Sequence, residues 1–287
     1  MATVLALGPV LGFLLVALLA RPSAEADTTP AAVRRTIRRW RWTGLLLGVV
    51  VAAVAWDRDP LGRGVLLAAP LLALCVLAGV VVGETRAVRA AGSTRRAALE
   101  TRRVRDYLPR VPGWTVVAAG GTLTALLAAT TTAASADDLG RAGRSLAYDC
   151  GRYAGSHGPW AGSFYSLPLA AVVGVGVLLA GLALRRVVGR PRPQDAVGDL
   201  VPDDAERRRS AAAVTGAAGL LLTVPLIGVS LVTAAGLLAS PCRPVWWTAT
   251  AWLLILLVPG WLALLGWSGS ALLTAGTRPT RPVPVPA

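Results

Sequence analysis

Apolar blocks of about 18 or more residues without a charge recur along this chain, the length a helix needs to cross ~30 Å of hydrocarbon. The candidate spans are residues 3–20, 43–56, 65–83, 114–135, 167–184, 211–238 and 246–266, and none contains Asp, Glu, Arg or His. The pattern predicts an all-α membrane protein: a bundle of about seven transmembrane helices, N-terminus outside and C-terminus cytoplasmic. Residues 1–267 form a single polytopic domain, and the Pro-rich tail 268–287 is expected to be disordered and cytoplasmic. The block 211–238 exceeds one bilayer crossing, so a tilt or a bend near Pro225 is expected.

The charged residues supply the orientation. All 29 basic residues are arginine, and the chain has no Lys and no Asn. Those two residues have A/T-rich codons, so their absence suggests a GC-rich bacterial genome. A net charge of +14 is compatible with nucleic-acid binding. In a multi-pass chain it is better read as cytoplasmic loops facing anionic head groups, with no nucleic-acid partner. With seven spans, segments 21–42, 84–113, 185–210 and the tail fall inside and hold 23 arginines, against 6 in the outer loops. The 43–56 block is short, but Trp42 and Trp56 bracket it as interface anchors, and deleting it would place two Arg-rich loops outside. Residues 3–20 also admit a reading as a cleaved signal peptide ending near Ala24-Glu25-Ala26. No positive charge precedes that block, and cleavage would leave the arginines of 34–42 outside, so an uncleaved anchor is favoured.

The inner loop 84–113 contains a plausible helix over 94–108, where Glu100 can pair with Arg96 and Arg103 at helical spacing. Arg95, Arg96, Arg102 and Arg103 are its candidate contacts to anionic lipid on the inner leaflet. A solvated connector is the competing reading. Gly8/Gly12, Gly44/Gly48 and Gly79/Gly83 place a small-x3-small pair in each of the first three spans, a spacing that permits close helix approach. It also arises by chance in a chain this rich in Ala and Gly.

Chemistry-bearing patterns are scarce. Spans without ionisable groups disfavour a proton- or ion-coupled pump. Glu84, at the end of the third span, is read as an interface residue. Without lysine there is neither a retinal Schiff base nor a phosphate-binding loop. A single histidine cannot build a His-rich metal site. Asp195, Asp199 and Asp203 are spaced for one helix face, but Pro191, Pro193, Gly198 and Pro202 argue against that helix and favour a loop. Adjacent Asp137 and Asp138 are weak candidates for acid–base work. No catalytic, cofactor-binding or metal-binding residues are assigned.

The segment 148–166, "YDCGRYAGSHGPWAGSFYS", departs from its surroundings. It holds three of the four tyrosines, the only histidine and one of three cysteines. The topology puts it in the longest outer loop. Cys242 lies in the outer loop between the last two spans, so Cys150–Cys242 is a candidate disulfide on the oxidising face, whereas Cys75 falls mid-span. Trp160, Phe164, Tyr165, Trp246 and Trp247, with Tyr148 and Tyr153, are expected to form an outer cap at head-group depth. That cap is either an ordinary aromatic belt or a partner or ligand site with Asp149, Arg152 and His157 as polar handles. "RRVRDYLPR" ahead of the fourth span and "GPWAGSFYSLPLA" entering the fifth resemble uncharacterised multi-pass integral membrane proteins of actinobacteria. The resemblance implies a lineage and no activity. The expected role is a non-catalytic scaffold, partner or envelope component of a bacterial plasma membrane, with a transport permease or lipid-translocating subunit as the alternative.

Overall fold

The computed structural model describes residues 31–58, 62–89, 104, 107–189 and 200–274. In chain order the elements are α1 (Ala31–Arg58), α2 (Arg63–Arg89), α3 (Arg110–Thr132), β1 (Leu146–Asp149), β2 (Ala154–His157), α4 (Ser163–Val188), α5 (Leu200–Ala239) and α6 (Val245–Thr274). Five of the helices, α2 to α6, contain stretches long and apolar enough to cross a membrane: Arg63–Arg86, Arg110–Thr132, Ser163–Val188, Arg207–Ala239 and Val245–Leu272. The 43–56 block is helical too, but it is the second half of α1, whose first half carries Arg35, Arg38, Arg39 and Arg41. The block 3–20, the loop arginines Arg95, Arg96, Arg102 and Arg103, and residues 275–287 lie outside the described residues.

Three expected boundaries move, and the first is that α3 stops at Thr132 rather than at residue 135. Residues 268–274 belong to α6 rather than to a tail, because Ser268 and Leu272 are buried against the bundle. The loop expected up to residue 210 gives way to helix at Leu200. Pro202 does not prevent this, since a first-turn residue has no intrahelical acceptor for the N–H that proline lacks. The resulting α5 has 40 residues and continues through Pro225.

Close contacts set the helix directions. Gly44 of α1 faces Cys75 and Gly79 of α2, and Gly48 faces Leu72, so the two helices run antiparallel. A Cβ added at Gly44 would come within 2.7 Å of the Cys75 carbonyl oxygen. Two of the small-x3-small pairs therefore do bring backbones together, where only glycine leaves room. Gly216 and Gly219 of α5 meet Ser268 of α6, and Gly176 of α4 meets Leu221 of α5, again antiparallel. Val116 and Gly120 of α3 approach Gly219 and Leu222, which sets α3 parallel to α5. Consequently α1, α3 and α5 run one way and α2, α4 and α6 the other. Arg41, Arg86, Arg110, Arg185 and Arg207 gather at one end, and the hairpin β1–β2 stands at the other.

Helix α5 is the hub. Of its most apolar stretch 67% is buried, against 22% for α3 and for α4 and 17% for α6. Its buried hydroxyls at Thr215 and Thr223 donate back to the Ala211 and Gly219 carbonyls, which makes them tolerable in an apolar interior. Leu77, Leu123, Leu169, Leu221 and Leu226 fill the centre. Leu46, Leu178, Leu182, Leu253, Leu256 and Leu262 face outward. An exterior this apolar is suited to hydrocarbon rather than water.

Candidate functional site

The loop after α3 folds into a cap with three layers of support. At its base, Asp137 accepts hydrogen bonds from the Leu139 and Arg141 amides, from Arg141 Nε at 2.8 Å and from Arg144 Nη1 at 3.1 Å. Burial works against ionisation of Asp137. The Arg141 and Leu139 hydrogen bonds and the Arg141 charge outweigh it and hold the carboxyl below its ordinary range. A depressed carboxylate pKa stabilises the folded loop above the unfolded-state pKa, so that support is present at neutral pH. It is lost as the pH falls through the ordinary carboxylate range to the depressed value of Asp137. Asp138 accepts from Ser156 Oγ of β2 at 3.1 Å. These two aspartates organise a loop rather than forming an acid–base pair.

In the middle layer, Phe164 lies beneath two guanidinium groups, Arg63 at 4.4 Å and Arg144 at 4.7 Å from the ring centroid. Arg63 begins α2, so the contact ties that helix to the start of α4. Trp160 is 3% exposed and packs on Leu146, Ala234, Leu237, Ala251 and Leu254. Its Nε1 donates to the Thr130 carbonyl oxygen at 2.9 Å, one of the C-terminal carbonyls of α3. Tyr165 is buried as well. Two of the aromatics expected in an outer cap are thus interior anchors.

The top layer is the hairpin. Leu146, Ala147, Tyr148 and Asp149 pair with His157, Ser156, Gly155 and Ala154. Cys150 N donates to the Tyr153 carbonyl at 2.9 Å and closes a two-residue loop, Gly151-Arg152. Gly151 has φ +75°, a conformation that suits glycine at the first position of such a turn. Asp149 Oδ1 accepts from Gly151 N at 2.7 Å. This hairpin was missed from sequence. Its strands are too short to display alternation, and the one available signal was Gly151 ahead of Arg152 between residues of strand propensity.

Cys150 and Cys242 stand at bonding distance with Cα atoms 5.6 Å apart, inside the disulfide range. The link joins the hairpin turn to the segment before α6. The exposed Asp149, Arg152 and Tyr153 gather around it, and the exposed Trp246 packs edge-on against Trp247 at the start of α6. Tyr148 is half-buried over Gly155, and His157 is half-buried in β2. Thiol alkylation of the denatured, unreduced protein is therefore expected to modify Cys75 alone, with Cys150 and Cys242 appearing only after reduction. Labelling of all three before reduction would remove the staple. Closing a loop with a sequence separation of 92 is nominally worth about 4.6 kcal/mol. That figure is an upper bound, because a membrane-confined unfolded chain is already restricted.

The opposite end holds a second polar group that sequence reading placed at an interface. Glu84 is 5% exposed. Its Oε2 accepts from Ser210 Oγ at 2.8 Å, and its Oε1 lies 3.6 Å from Arg41 Nη2. Arg41 Nη1 also donates to the Leu272 carbonyl of α6 at 3.1 Å. Glu84, Thr85 and Arg186 border a recess of about 30 Å³, enough for a water molecule. Nearby, Arg207 is fully buried, and its Nη1 donates to the Val187 and Val188 carbonyls at the end of α4, both at 3.1 Å. The sequence signal was partial, because Glu84 is the acidic residue directly after the uncharged apolar run 65–83.

Among the described residues no group of three or more His, Cys, Asp or Glu side chains is placed to hold a metal ion. No protein-family model, curated protein or solved structure matches this chain.

Proposed function

We propose that the chain is a non-catalytic, multi-pass protein of a bacterial plasma membrane that presents a stapled extracytoplasmic hairpin to a membrane or envelope partner. The observation that carries this reading is the construction of the cap. A bundle with an apolar exterior devotes a buried tryptophan, a double cation–π contact and a cysteine pair to holding one short hairpin. The tip residues Asp149, Arg152 and Tyr153 are left outward. Exposed polar and aromatic residues on a rigid support are what recognition needs.

The topology proposed with it has the arginine-rich end in the cytoplasm, by the positive-inside rule. In it α1 serves as a sixth span, because its apolar half lies antiparallel along α2 at the same depth, and residues 3–20 serve as a seventh. A reporter active only in the cytoplasm is expected to be active when fused after Ala287 and silent when fused after residue 64. The reverse pattern would overturn the topology.

The function itself is tested by placing a photo-crosslinking amino acid at Tyr153 in native membranes. The expected result is one discrete crosslinked product that disappears when Arg152 is replaced by Glu and when Cys150 is replaced by Ser. A product unaffected by either change, or none at all, would overturn the docking role. A permease or lipid-translocating subunit is the second reading, and the buried Glu84 with its adjoining recess is the observation that favours it. It requires solute or lipid flux in proteoliposomes that falls when Glu84 is replaced by Gln.

A further inference from the structure

We propose that the cleft between α3 and α6 is a binding site for one anionic phospholipid, with an acyl chain in the cleft and the phosphate at Arg110. This goes beyond the docking role of the hairpin at the opposite end and depends only on the protein being embedded in a membrane. Val111 and Thr115 of α3 and Leu257, Gly260, Trp261 and Trp267 of α6 line a space of about 350 Å³. That volume falls within the range of small-ligand pockets.

Its origin is local. Pro259 lies inside α6, and Gly260 beside it contributes no side chain, so a hollow remains between Leu257 and Trp261. The walls are apolar. Thr115, the hydroxyl-bearing residue among those named, donates to the Pro112 carbonyl at 2.9 Å and turns no free donor into the space. A chain of methylene groups is the ligand such walls select.

The cleft reaches the arginine-rich end of the bundle, where Arg110 opens α3 immediately before Val111. Arg110 is exposed and forms no ion pair or hydrogen bond with any described residue. An exposed cation one residue before the first lining residue of an apolar slot complements a lipid with a net negative head group. A zwitterionic lipid would bring its own cation to the same place. One arginine at an anionic surface corresponds to about a fivefold preference.

The test uses the full chain in nanodiscs of equal phosphatidylglycerol and phosphatidylcholine, with lipids retained after extraction counted by native mass spectrometry. The wild type is expected to keep one phosphatidylglycerol per chain with about fivefold preference over phosphatidylcholine. R110Q should lose the preference and still retain a lipid. G260L should lose retention of both lipids, and A263L, at another residue that lines the cleft, provides a second way to fill it. A Cβ at Gly260 meets nothing within 4 Å, so the leucine enters open space. Equal retention of both lipids by the wild type would overturn the proposal. So would undiminished retention in both filled variants, or a dimer of this chain that the filling variants dissociate without any lipid being retained.

Discussion

Trp160→Ala is expected to destabilise the membrane domain by about 3–5 kcal/mol, the range for removing a large aromatic from a packed interior. The residue is 3% exposed, and its ring fills the space left open by Gly236 between α5 and the cap. A Cβ at Gly236 would lie 3.0 Å from the indole, so the ring takes the room that a side chain there would need. The substitution also removes the donor to the Thr130 carbonyl. Trp160→Phe weights the two effects differently, keeping much of the packing and losing the N–H, at about 1–3 kcal/mol for an acceptor left unsatisfied. Thermal unfolding in mild detergent measures both variants. An alanine variant that melts with the wild type would show that the cap is not part of the cooperative unit.

The contrast between spans and site is a contrast in length scale. Spans were legible because crossing hydrocarbon demands a long run without charge. Residues 65–83, 167–184, 211–238 and 246–266 each fall within a helix long and apolar enough to cross, and 114–135 does so up to Thr132. Their boundaries were less legible because helices outrun the apolar block. Helix α1 begins well before Thr43, and α5 begins at Leu200 among charged residues. The cap was legible only as an unusual composition. Periodicity cannot announce two four-residue strands, and aromatic content cannot say which ring is inside. Trp160 and Trp246 look alike in sequence, yet one is buried and the other is 64% exposed. The proximity of Cys150 and Cys242 was legible because the expected topology put both on one side, and geometry requires only that the two loops meet.

Arginine carried two messages, and the sequence showed one of them. Their distribution along the chain points to orientation. Their side chains perform a second task, because the last carbonyls of a helix have no partner within it and cannot be left bare at the edge of a bilayer. Arg41 donates to Leu272 at the end of α6, Arg207 to Val187 and Val188 at the end of α4, and Arg243 to Leu238 at the end of α5. Trp160 does the same for α3. Arg243 lies five residues beyond the carbonyl it serves, but Arg41, Arg207 and Trp160 come from segments distant in sequence, so no local window could reveal those three. A long, always-charged side chain with several N–H groups suits this work, which complements the negative end of a helix dipole as well.

Arg207→Met is the substitution expected to test that second role most sharply. Methionine matches much of the stem and removes the guanidinium, leaving two buried α4 carbonyls without the donor they share. At about 1–3 kcal/mol for each unsatisfied group, the loss should approach that of Trp160→Ala. Burying a charge is itself costly, and where a buried charge only meets its counter-charge an apolar replacement can be neutral or stabilising. The sign of the change is therefore informative. A lower melting temperature in Arg207→Met, partly restored in Arg207→Lys, is expected if the carbonyls at the end of α4 need a cationic donor. Lysine supplies a charge and fewer donors, so full restoration is not expected. A methionine variant as stable as the wild type would mean that the α4 terminus is satisfied without Arg207, and the capping role would fall.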